Sequence, residues 1–148
     1  MALNFNKYAT EGNTFMKAYA KELSLFDDYD QAGRILSTIL HGLRSMISTE
    51  ESLQLIAQLP MFLKAIYVNG WTLKAKEKIK NTDDFIAYLR VISGNTSLID
   101  FYSDEIAEAD VHSTFKMLRN YVSSGQMEDV IGQLPKQLKK LFYEYNLE

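Results

Sequence analysis

His41 and His112 are the only imidazoles in the chain, and there is no cysteine. Metal binding would therefore have to pair a histidine with carboxylates. Glu108 and His112 lie four residues apart, one helical turn, and Glu105 is a possible third ligand. Di-iron helical bundles use Glu-x-x-His pairs and further carboxylates on facing helices. Here the spacing is x-x-x, and the corresponding positions of the first half hold Gly33 and Ser37. The expectation is a solvated polar face, with no metal and no other cofactor. No Gly-rich phosphate loop, Gly-x-Ser-x-Gly elbow or His-Glu-x-x-His motif occurs. The serines have no base beside them in sequence. No catalytic residue is assigned, and the protein is expected not to be an enzyme.

Binding chemistry has more candidates. Arg44 and Arg119 could hold an anion or a partner, but each sits near a presumed helix end. There a guanidinium bonds the last carbonyls and complements the helix dipole. Gln58 and Gln133 each stand two residues before a proline and are expected to bond backbone in the tight helix–Pro–helix turn. Tyr67, Trp71 and Phe62 could line a cleft, although a lid over the core is the expected role of the single tryptophan. Lys74, Lys76, Lys78 and Lys80 form a local basic patch, read as a solvated connector. Taken with Phe101 and Tyr102, the candidate partner or ligand surface is Tyr67, Trp71, Arg44, Arg119, Phe101 and Tyr102.

Helices must position these groups. Phe5, Tyr8, Gly12, Phe15, Met16, Tyr19 and Leu23 recur at helical spacing, with Asn4 as N-cap. Gly12 on that stripe costs about 1 kcal/mol of helix propensity and points to a close helix crossing. A second helix starts at Asp28 or Asp30 and buries Ile35, Leu36, Ile39, Leu40 and Leu43. Ser48-Thr49-Glu50-Glu51 reads as a capping box in which Ser48 and Glu51 satisfy each other's backbone donors. Pro60 fits the first position of the next helix, and Asn69-Gly70 a left-handed stop. Asn81 or Thr82 caps a helix that Gly94-Asn95 ends. An irregular stretch over Leu98–Tyr102 precedes a long helix to about Val122. Two short helices, about Gln126–Ile131 and Pro135–Tyr145, complete the pattern. No segment alternates cleanly enough for a strand, though the lysine connector alternates weakly.

The chain also resembles itself. A shift of 75 positions aligns residues 36–67 with 111–142 without a gap. It places Leu43-Arg44 on Leu118-Arg119, Ser48 on Ser123, and Gln58-Leu59-Pro60 on Gln133-Leu134-Pro135. Phe15 answers Phe85 at a shift of 70, so five extra residues fall around Leu98–Tyr102. Two units, 4–72 and 80–145, are expected to pack about a pseudo-two-fold axis as one all-α domain spanning 1–148. This implies a compact bundle of seven or eight helices, since a unit of about 70 residues cannot easily bury its apolar faces alone.

Length and composition set the outer bounds. The chain has 148 residues, 47% hydrophobic and 24% charged, near globular averages. That excludes a disordered or collagen-like chain, and the lack of cysteine excludes a disulfide scaffold. No apolar run is long enough to cross a bilayer, and the first residues do not form a secretory signal. A cytoplasmic protein is expected. The net charge of −3 argues against nucleic acid as partner.

The sequence resembles the bacterial family known as domain of unknown function 2267. The resemblance rests on Asn4-Phe5-Asn6-Lys7-Tyr8, the arginine-containing helix 34–44, Ala57-Gln58-Leu59-Pro60, Tyr67 with Gly70-Trp71, Asp84-Phe85, and the second Gln-Leu-Pro at 133–135. It covers nearly the whole chain and departs from the family pattern around Gly94–Ser103. The resemblance implies no assigned activity, cofactor or catalytic residue. The expected function is a non-enzymatic helical module that binds a protein partner or itself, without a membrane. The alternative is a small-molecule binder with a pocket between the two repeats. The many aromatic residues and the unpaired Leu98–Tyr102 segment favour the first reading.

Overall fold

Six of the helices start after a residue whose side chain takes a free backbone N–H group. Asn4 accepts from Lys7 and opens α1, Phe5–Glu22. Asp28 accepts from Gln31 and opens α2, Tyr29–Arg44. Ser48, Asn81, Ser103 and Ser123 do the same for α3 (Thr49–Gln58), α5 (Thr82–Ser93), α7 (Asp104–Leu118) and α8 (Ser124–Gly132). Pro60 precedes α4 (Met61–Val68) with extended backbone, so it is the cap rather than the first helical residue. Two four-residue helices complete the set, α6 (Ser97–Asp100) and α9 (Lys139–Phe142). The computed structural model describes residues 4–143, and among these no strand is present.

The expected all-α architecture is what the chain adopts. α2 is central and packs on α1, α4, α5 and α7. α3 lies against α8, and α9 against α7. A single hydrophobic cluster takes side chains from every one of these helices except α6, together with Phe101 just after it. Its largest members include Tyr19, Tyr67, Phe85, Phe101, Phe115 and Phe142.

Two glycines mark close crossings. A Cβ on Gly12 would stand 3.3 Å from Phe62 Cβ, so the gap in the apolar stripe of α1 admits α4. A Cβ on Gly42 would stand 2.8 Å from Leu89 Cδ2 and 3.1 Å from the Phe85 ring, so α5 lies directly on α2 there.

Several expected boundaries change. Leu98–Tyr102 is not irregular: a 3-10 turn at Gly94–Thr96 leads straight into α6. Gly94 ends α5 with φ 66, a conformation that glycine adopts without strain. The long helix stops at Leu118, and the next four residues wind on as turns bonded to Phe115, Met117 and Leu118. Pro135 starts no regular helix. Leu138 N–H bonds back to Pro135, and helix begins only at Lys139. The expected end of that helix at Tyr145 lies outside the described residues. The lysine connector takes no regular secondary structure and pairs with no strand, and its Ile79 is buried.

Candidate functional site

The two glutamines do not bond within their own turns. Ser123 N–H donates to Gln58 Oε1 at 2.8 Å, and Ser48 N–H donates to Gln133 Oε1 at 2.8 Å. Each glutamine thus satisfies the N-cap residue of the other half. The capping box expected at Ser48 forms in one direction only. Ser48 Oγ accepts from Glu51 N–H at 3.0 Å. The Glu51 carboxylate turns away to accept from the side-chain amides of Gln126 and Gln133. Two amide donors outcompete the single backbone N–H, and Gln133 takes the vacated place. The same Gln133 amide also donates to Ser48 Oγ at 3.3 Å.

The two arginines bond carbonyls, though not those of their own helices. Arg44 Nη1 donates to Tyr67 O at 2.6 Å and to Asn69 O at 2.8 Å, at the end of α4. Arg119 Nη2 donates to Phe142 O at the end of α9. Both therefore tie the C-terminus of a long helix to the C-terminus of the short helix that follows it two elements later. No carboxylate pairs with Arg44 among the described residues, and partial burial lowers its pKa.

Of the expected surface, Tyr67 and Phe101 are fully buried and belong to the core. Tyr67 OH bonds Ser52 Oγ at 2.7 Å, and burial pushes its pKa up to about 12. Trp71 is half-buried and meets the Tyr67 ring edge-on at 5.9 Å. Tyr102 is exposed. These residues do not share one surface: Phe101 and Tyr102 lie in the segment 97–102, Trp71 and Arg44 line a cleft beside α2, Tyr67 is in the core, and Arg119 bonds the end of α9.

The segment 97–102 alternates between anchoring and display. Leu98, Ile99 and Tyr102 are 79%, 60% and 66% exposed, while Asp100 and Phe101 between them are buried. Asp100 is held by a two-pronged contact: Arg34 Nε to Oδ2 at 3.0 Å and Arg34 Nη2 to Oδ1 at 2.9 Å. Arg90 Nε donates to Phe101 O at 3.0 Å, and Arg90 Nη2 pairs with Asp104 at 2.9 Å. Gln31 adds a bond to Ile99 O at 3.4 Å. Charged forks of this kind fix geometry as well as supply energy. Phe101 and Tyr102 are recognisable as candidates from the sequence, whereas Arg34, Arg90 and Asp100 are not. A lone aspartate amid Leu-Ile and Phe-Tyr was the available clue.

The cleft has a volume of about 480 Å³. It lies between the end of α2, the connector 70–77 and the Tyr88–Ile92 face of α5. Trp71 and Arg44 line it, but Tyr67, expected beside Trp71 in a pocket between the halves, lies in the core instead. His41 bonds Ile66 O through Nε2 at 2.8 Å, and burial lowers its pKa.

Glu105, Glu108 and His112 share α7. No group of three or more metal-ligating side chains gathers among the described residues. A different carboxylate stands out. Asp110 is buried on α7, and burial together with the Asp100 charge pushes its pKa up to about 7. Nearby, Tyr19 OH bonds Thr114 Oγ1 at 2.7 Å, and Thr114 in turn donates to Asp110 O. No described helix is long and apolar enough to cross a membrane.

A family model described as an uncharacterized conserved protein, DUF2267, matches residues 12–141. The chain belongs to that family. Among curated proteins none matches it significantly.

Proposed function

We propose that the protein is a non-enzymatic bacterial, cytoplasmic self-association module, and that its contact surface is the ridge of Leu98, Ile99 and Tyr102. The observation that carries this reading is the fastening of that ridge. Three large apolar side chains point to solvent from a segment pinned by Arg34 and Arg90. A loose insert would turn such side chains inward or move freely. A rigid apolar ridge loses little conformational entropy on docking.

A second copy is the occupant that the flanks favour. A two-fold contact brings the same patch against itself, so charges at its rim are matched only where both signs are present. Arg90 and Asp104 supply one of each beside the ridge, with side chains 31% and 59% exposed. Across a two-fold axis each can face its opposite on the partner. The matching contacts of Gln58 with Ser123 and Gln133 with Ser48 support descent by internal duplication.

Sedimentation over a wide concentration range tests the reading. The native chain is expected to dimerise, and Leu98→Asp with Tyr102→Asp to give a monomer that keeps the native helical content and unfolds cooperatively, with a melting temperature that no longer depends on concentration. A strictly monomeric native chain at every concentration overturns it, as does a double variant that dimerises equally well.

A further inference from the structure

The cleft beside α2 is independent of the ridge, and its chemistry is different. Trp71 and Tyr88 give it aromatic walls, and Lys74, Lys76 and Arg44 put three cations around it against one carboxylate, Glu77. This concentration of positive charge stands in a chain of net charge −3. Arg44 is the key observation. Its Nη1 is spent on two backbone carbonyls, and no described carboxylate neutralises it. A partly desolvated cation without a counter-ion is costly unless an anion joins it.

The connector is held as an arch over this space. At one end Trp71 N–H bonds Val68 O at 3.1 Å, and the indole rests on Tyr67. At the other, Glu77 N–H donates to Ser45 O at 3.2 Å, and buried Ile79 anchors the chain just beyond. Tyr88 OH is fixed by Ser45 Oγ at 2.9 Å. The cavity volume of about 480 Å³ falls within the range of small-molecule sites, roughly 300–1,000 Å³.

We propose that this cleft binds a small organic anion carrying a planar ring, about the size of a nucleoside monophosphate. Lys74, Lys76 and Arg44 receive the anionic group, and Trp71 and Tyr88 receive the ring. Cation–anion attraction and ring stacking act together, so neither half of the ligand alone binds well.

Trp71 is the only tryptophan in the chain, so its fluorescence reports directly on the cleft. The full chain is titrated with adenosine monophosphate, phenyl phosphate, adenosine, inorganic phosphate and a single-stranded oligonucleotide. At least one of the two ring-bearing anions is expected to give a saturable change. Adenosine and inorganic phosphate are expected to bind at least about tenfold more weakly. Added salt is expected to weaken binding. The exposed pair Lys74→Glu and Lys76→Glu is expected to reduce affinity at least about tenfold while thermal melting stays unchanged. The proposal is overturned if neither ring-bearing anion gives a saturable change up to about 10 mM. It is equally overturned if adenosine binds as tightly as its monophosphate, if the double lysine variant binds normally, or if only the oligonucleotide binds.

Discussion

Gln58 and Ser123 are 65 residues apart, yet the glutamine carbonyl caps the serine's backbone N–H at 2.8 Å. The mirrored contact, Ser48 with Gln133, has the same length but different surroundings. Gln133 also donates to Ser48 Oγ and to the buried Glu51 carboxylate. The two glutamines should therefore respond differently to one substitution. Gln58→Glu keeps the acceptor and adds negative charge at the start of α8, so stability should change by no more than about 0.5 kcal/mol. Gln133→Glu loses its donor and sets a carboxylate against Glu51, at a cost of about 1–2 kcal/mol. Glu51→Gln should recover much of that loss. Urea unfolding of the native chain and these three variants measures this, and equal effects at positions 58 and 133 would contradict it.

Glycines in one helix give a second contrast. A Cβ on Gly33 meets nothing closer than Met16 Cε at 3.9 Å, ordinary contact with a flexible chain end. Gly33→Ala should raise stability by about 0.5–1 kcal/mol through helix propensity alone. At Gly42 the same methyl group would meet Leu89 and Phe85 at 2.8 and 3.1 Å. Gly42→Ala should therefore lower stability by about 1–3 kcal/mol, overpacking outweighing propensity. Thermal melting of both variants decides the matter: if Gly42→Ala is the more stable of the two, the close crossing of α2 and α5 is misread.

The helices were readable because their starts rest on local chemistry. Asn4, Asp28, Ser48 and Ser123 each cap through bonds spanning three residues. The Gly12 crossing was readable too, because a glycine on an apolar stripe needs a reason. Contacts spanning many residues were not. Nothing near Gln58 in sequence announces Ser123, and nothing near Arg44 announces the carbonyl of Tyr67. The same limit misplaced Tyr67 and Phe101 on the surface, since aromatic side chains suit a core and an interface equally. The Arg34–Asp100 anchor spans 66 residues and so left no local pattern.

That anchor makes a third prediction. The Asp100 side chain is completely buried, whereas Arg34 is 40% exposed. Arg34→Met would leave a buried carboxylate without its partner, lowering stability by about 3 kcal/mol, toward the low end for such breaks because water can enter. Arg34→Lys keeps the charge but not the fork and should cost about 1–2 kcal/mol. Asp100→Asn in the Arg34→Met chain should restore part of the loss. Chemical unfolding gives the energies. If Arg34→Met unfolds like the native chain, the segment 97–102 is not held by this pair.

Asp110 should invert the usual dependence of stability on pH. Its pKa is about 7 in the folded chain against an ordinary 3.8, because burial and the Asp100 charge both oppose ionisation. Between those values the folded state holds a proton that the unfolded state has released. Stability from this group is therefore greatest below about pH 4 and declines as pH rises toward 7. Carboxylates stabilised by partners behave the opposite way, so the comparison must be a difference between two chains. Asp110→Asn cannot ionise, and the neighbouring Tyr19–Thr114 bond does not involve the Asp110 side chain. The variant should match the native chain near pH 4 and exceed it by about 2–4 kcal/mol at pH 8. Urea unfolding of both proteins across this range measures the gap. A gap that stays constant from pH 4 to 8 would show that Asp110 ionises as readily folded as unfolded.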